Sequence, residues 1–183
     1  MLDAERFAQG LTYPELLSQL EARGRSGPAR RQQVEAFHRL LPPLPPLPGV
    51  ARALALVEDW CPDSLQAIPV LARLPLEVRF FFRDENPDLA EAYQKDGKRI
   101  VPTVVFMDKG FKETARWHGP PEAARVFLRE TGGKMEPAER LRRYHEGFLR
   151  FAEAMLAEWR AALLGSESAL GRGAQAVEPD GHP

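Results

Sequence analysis

The sequence predicts an α/β domain with helices added at both ends. Three observations carry this. Strand-like and helix-like runs alternate between residues 50 and 131, the first 49 residues are patterned as helices, and an amphipathic stripe follows a Gly132-Gly133 break.

At the N-terminus, Thr12-Tyr13-Pro14-Glu15 has the form of a capping box with proline in the first turn. The helix it opens is expected to stop near Gly24. Ser26-Gly27-Pro28 starts another, with Val34, Phe37 and Leu41 on one face. Leu41 to Gly49 is then a proline-leucine run that ends any helix and favours polyproline II. It reads as a stiff linker whose leucines pack on the core, because it joins two structured segments. The alternative is a ligand for an aromatic-lined groove.

Within 50–131, Leu54 to Val57 is a short apolar run expected as a buried strand. Ser64 to Leu74 reads as a helix and Leu76 to Phe82 as an aromatic-rich strand. Pro87 to Lys95 reads as a helix with Asn86 as N-cap. Thr103 to Met107 and Phe111 to Trp117 form a strand pair across a tight turn at Asp108-Lys109-Gly110, and Pro120 to Arg129 a closing helix. Beyond the break, Pro137 opens one long helix to about Gly165. Leu141, Tyr144, Phe148, Phe151, Met155, Trp159 and Leu163 recur three or four apart along it. That stripe is too apolar to face water, so residues 1–49 and 134–164 are expected to pack on each other in one unit with the domain at 50–131. Pairing with a second chain is the alternative, leaving monomer and homodimer both open. Residues 166–183, rich in Gly, Ser and Pro, read as a disordered tail.

Composition excludes several functions. The 25 basic and 26 acidic residues give a net charge of −1, which argues for neither a nucleic-acid partner nor an anionic membrane surface. No apolar run reaches the ~18 residues of a membrane helix, and the N-terminus has no signal-like apolar stretch, so a cytoplasmic location is expected. A single asparagine beside 17 prolines is compatible with a thermophilic source or with GC-rich codon usage. The four histidines lack metal-ligand spacing and one cysteine cannot complete a zinc site, so neither metal nor cofactor is expected.

That cysteine, Cys61, follows an apolar strand and opens a helix. Unpaired N–H groups and partial positive charge at a helix N-terminus stabilise a thiolate, the reactive form. Pro62 sits where its missing N–H costs nothing, and Trp60 offers a flat apolar wall beside the sulfur. Cys61 is therefore expected to be partly exposed, with its thiol modestly below the ~8.5 of free cysteine. Glu58, Asp59 and Asp63 oppose that shift unless they are merely solvated loop charges. Lys98 and Arg99 are surface-loop cations that could also face the site. Trp117 is expected in the core.

Trp60-Cys61-x-x-Ser64 resembles the Trp-Cys-x-x-Cys motif of the thioredoxin superfamily, with serine replacing the second cysteine. Pro69 stands where members kink this helix, and Val101-Pro102 stands where they carry a cis-proline facing the cysteine. More narrowly, the runs Asp84 to Leu89 and Arg116 to Pro121 resemble a bacterial branch with an N-terminal helical extension and usually Trp-Cys-x-Asp-Cys. Asp63 fits that branch and Ser64 departs from it. The resemblance implies a central mixed sheet with helices on both faces and a cis Val101-Pro102 bond. It gives Cys61 and Ser64 as catalytic candidates, with Trp60, Pro62, Val101 and Pro102 as substrate-binding candidates. Ser64 cannot resolve a mixed disulfide, and Ala55 occupies the place of the buried acid that serves resolution. The expected function is monothiol thiol–disulfide exchange, with a protein disulfide or thiol or a low-molecular-weight thiol as partner and an external thiol resolving. A redox-inactive binding or adaptor module is the alternative.

Overall fold

The computed structural model describes residues 2–173. Four strands form one sheet in the order β2-β1-β3-β4: β1 (Arg52–Val57), β2 (Glu77–Phe82), β3 (Thr103–Met107) and β4 (Glu113–His118). β1 runs parallel to β2 and antiparallel to β3, and β3 is antiparallel to β4. The sheet is thus mixed, with the Leu54–Val57 run in one of its two inner strands.

Period-two alternation sends side chains to opposite faces. On one face lie Ala53, Ala55, Val57, Phe80, Phe82, Val104 and Phe106. The small alanines of β1 let α4 (Pro62–Arg73) pack closely, and Pro69 is buried inside that helix. The same core takes in α2 (Tyr13–Ala22), α3 (Gly27–Leu40), α6 (Glu122–Thr131) and α8 (Phe148–Gly173). The other face, with Leu54, Leu56, Phe81, Val105 and Met107, is covered by Phe7 of α1 (Ala4–Ala8) and Leu89 of α5 (Pro87–Ala92), with Leu2, Tyr93 and Phe111 packed alongside.

Helices at the two chain ends meet directly. Phe37 stacks on Phe148 at 4.1 Å between centroids, and Trp159 meets Trp117 edge-on at 5.6 Å. Leu41 and Leu47 of the proline-leucine run are buried and Leu44 packs against the same core, as a linker requires.

Several elements differ from expectation. The C-terminal helix is two: α7 (Pro137–Glu146) ends at Gly147, and α8 continues to Gly173. A Cβ at Gly147 would come within 2.8 Å of the Phe151 ring, so glycine lets the chain turn tightly against its own next turn. Leu141, the first residue of the expected stripe, is exposed. Residues 166–173 lie in α8 rather than in a tail, and the remainder of the expected tail, 174–183, lies outside the described residues. Asn86 precedes α5 without capping it through its side chain. Its amide instead donates to Phe82 O at 2.7 Å and accepts from Arg6 at 2.9 Å. The turn after β3 is longer than a tight hairpin. Asp108 Oδ1 accepts from the N–H groups of Gly110 and Lys112, and Phe111 takes φ 63°.

Candidate functional site

The site forms where β1 ends and α4 begins. Cys61 is the N-cap residue of α4, with extended backbone, and its carbonyl accepts the first helical bond from Leu65 N–H at 3.1 Å. Its Sγ donates to the Val101 carbonyl at 3.8 Å. The Val101-Pro102 peptide is cis, as the resemblance implies. Gly119 N–H donates to Pro102 O at 2.9 Å, and a Cβ on Gly119 would lie 2.5 Å from Trp117 and 2.9 Å from Pro102. The Arg116–Pro121 run therefore braces the loop that faces the cysteine.

Cys61, Ser64 and Val101 are brought together. Ser64 is fully buried: its hydroxyl accepts from Glu58 N–H at 3.2 Å, and its hydroxyl and backbone N–H bond to the sulfur. Pro102 is buried beside Val101, whereas Pro62 is exposed. Trp60 is 53 % exposed, and its ring carries the Arg83 guanidinium 5.3 Å from its centroid.

A family model described as thioredoxin matches residues 46–134. Residues 46–134 form a thioredoxin-like domain. Among solved structures, the chain is similar to a Pseudomonas aeruginosa protein of unknown function, at 17% identity and TM-score 0.54. It is also similar to an HIV epitope-scaffold, at 16% identity and TM-score 0.52. Each match covers 86% of this chain and 99% of the other. At these identities the likeness is one of fold. No curated protein matches the chain.

Within this thioredoxin-like domain the cysteine differs from expectation in two respects. Cys61 is only 6 % exposed, and burial, outweighing the Ser64 hydrogen bonds, pushes its thiol up rather than down. The sequence signal at a helix N-terminus is real, but desolvation of the charged form exceeds it here.

None of the three acids near the sulfur is an idle loop charge. Glu58 is buried, and its carboxylate accepts from Asp84 N–H at 2.7 Å, so the Asp84–Leu89 run is tied to the loop before the cysteine. Burial pushes the Glu58 carboxyl up. Asp59 pairs with Arg30 of α3. Asp63 accepts from the Tyr144 hydroxyl of α7, and burial holds its carboxyl above the ordinary range despite that bond and the nearby Arg125. Tyr144 itself is driven strongly up by burial, by Asp63 and by Cys61.

Gln66 links the same elements, donating from Nε2 to Tyr144 O at 3.2 Å. Sequence alone places Tyr144 in an apolar stripe and gives no sign that its hydroxyl reaches a residue in the active-site helix. Arg99 binds Glu91 at 2.8 Å, and its carbonyl holds Arg83 at 2.9 Å. Trp117 is buried as expected, with Nε1 donating to Glu158 at 2.7 Å. Among the described residues no histidine, cysteine or acid cluster could hold a metal, and no helix is long and apolar enough to cross a membrane.

Proposed function

We propose that the protein carries out monothiol thiol–disulfide exchange through Cys61. The observation that carries this reading is the Cys61 sulfur at the N-terminus of α4, 3.8 Å from the carbonyl of the cis Val101-Pro102 peptide. A disulfide lying along that loop puts one of its sulfurs beside Cys61. The Cys61 thiolate attacks that sulfur, the substrate S–S bond breaks, a mixed disulfide forms, and the departing thiolate takes up a proton. With Ser64 in place of a second cysteine, an external thiolate completes the cycle. It attacks the substrate-derived sulfur of the mixed disulfide, forms a new disulfide with it and displaces Cys61 as the thiolate. Ser64 supports the sulfur by hydrogen bonding, while Trp60, Pro62, Val101 and Pro102 line the approach of the substrate.

The test is a peptide carrying a mixed disulfide with a small thiol, incubated with catalytic protein and excess monothiol. Release of the free peptide thiol is expected to accelerate with the protein and to lose that acceleration in Cys61→Ser. A second reading, a redox-inactive binding module, draws on the burial of Cys61 and its raised thiol. It predicts no acceleration in the same assay.

A further inference from the structure

A cleft of about 230 Å³ opens where Pro62 and Asp63, the two residues after Cys61 at the start of α4, meet α6 and α7. Leu128 and Leu141 supply its apolar lining, and Asp63 of α4 with Arg140 and Tyr144 of α7 supply its polar lining. Asp63 and Tyr144 both lie within electrostatic reach of the Cys61 sulfur.

The cleft carries opposite charges. The other two arginines of α7 are taken: Arg142 by Glu146, and Arg143 by Glu139 at 2.8 Å. Arg140 has no carboxylate partner among the described residues. Asp63 holds the Tyr144 hydroxyl on Oδ1 alone, and an ionised carboxylate can accept several bonds. Arg125, the other cation near Asp63, is engaged elsewhere, donating to His118 O at 2.9 Å and pairing with Glu122 at 3.6 Å. One available anion and one available cation lining the same small, partly apolar space match a small zwitterion.

We infer that this cleft binds a low-molecular-weight thiol or its disulfide carrying an α-amino-acid head group, with the ammonium on Asp63 and the carboxylate on Arg140. The inference rests on the exchange reading and names the external thiol for it. In the oxidising direction the Cys61 thiolate attacks the bound disulfide, one S–S bond breaks, the Cys61 mixed disulfide forms, and the other half leaves as a thiolate that takes up a proton. The reverse step supplies the thiol that resolves Cys61.

The experiment measures how fast Cys61 of the full chain forms a mixed disulfide, by intact mass, with four probes. These are cystine, cystamine (ammonium only), dithiodipropionate (carboxylate only) and neutral bis(hydroxyethyl) disulfide. Dividing each rate by that of the neutral probe removes changes in intrinsic thiol reactivity. Cystine is expected about tenfold above the neutral probe, the effect of a charge-assisted contact worth ~1.4 kcal/mol. Arg140→Ala is expected to lower the cystine ratio to that of cystamine, and Asp63→Asn to that of dithiodipropionate. A cystine ratio near one, or a ratio unchanged by Arg140→Ala, overturns the cleft assignment and leaves exchange standing. Failure of the neutral probe to label Cys61 at all overturns the exchange reading, and this inference with it.

Discussion

The Tyr144 hydroxyl donates to Asp63 Oδ1 across 81 residues of sequence. A helix beyond the thioredoxin-like domain is thereby fastened to the first turn of the helix that carries Cys61. The Tyr144 ring is buried, tilted against Phe151 at 5.0 Å, while its carbonyl accepts from Gln66. Tyr144→Phe keeps the ring and removes the bond to a half-buried carboxylate. The expected cost is about 1–3 kcal/mol at neutral pH. Urea melts of the two proteins check it, and the difference is expected to shrink in acid, where Asp63 is neutral and the bond is weaker. Equal midpoints at neutral pH would contradict the role.

Asp63 also sets a pH dependence. Burial, the largest influence, leaves its carboxyl raised despite the Tyr144 bond and Arg125. A group raised in the folded state contributes stability that is fully present below its unfolded value, ~3.9 for Asp, and lost as pH rises through the folded value. Glu58, raised chiefly by burial, acts in the same direction. Asp63→Asn removes one of these losses while keeping an acceptor for Tyr144. Its melting temperature is expected to fall less than that of the natural protein as pH rises from about 4 toward neutrality. Parallel profiles for the two proteins would show that the Asp63 carboxyl is not raised in the folded protein.

The Cys61 thiol is raised mainly by burial, with the Ser64 side chain and backbone pulling the other way. Iodoacetamide alkylation of the folded protein is expected to titrate above the ~8.5 of free cysteine. Ser64→Ala removes the strongest opposing contact and is expected to move the titration higher still. A lower value in the variant would mean that the hydroxyl does not stabilise the thiolate.

Much of this fold is visible in the chain because its determinants are local. The capping interaction at Thr12 and Glu15, with Thr12 N–H donating to Glu15 at 2.7 Å, needs only three residues of separation. Alternation along β1, β2 and β3 separates the two cores directly. The cysteine, Ser64 and the cis-proline loop follow from the motif and its spacing. Burial at the site was not legible, because it depends on chain segments far apart. Tyr144 reaches Asp63, Arg30 reaches Asp59, and Asp84 reaches Glu58 only after folding. The break at Gly147 was hidden for a related reason. The apolar period continues through it, and the close approach of the Phe151 ring appears only in three dimensions.

The stack of Phe37 on Phe148 joins α3 to α8, and both rings are almost fully buried. Phe37→Ala is expected to cost about 3–5 kcal/mol, the range for deleting a buried phenylalanine. Because the N-terminal helices, the sheet and α8 share one core, far-UV and near-UV signals should melt together at a lower temperature. A loss of N-terminal helix that leaves the tertiary signal of the domain unchanged would show that the extension folds separately.

Labelling of the folded protein separates exchange chemistry at the buried Cys61 from binding alone. The full chain is incubated with bis(hydroxyethyl) disulfide at neutral pH, and intact mass is followed before and after addition of a monothiol. One adduct is expected, located at Cys61, that the monothiol removes to restore the starting mass. An unlabelled folded protein, when the same chain unfolded in urea labels fully, would contradict exchange and leave the thioredoxin-like domain as a binding module.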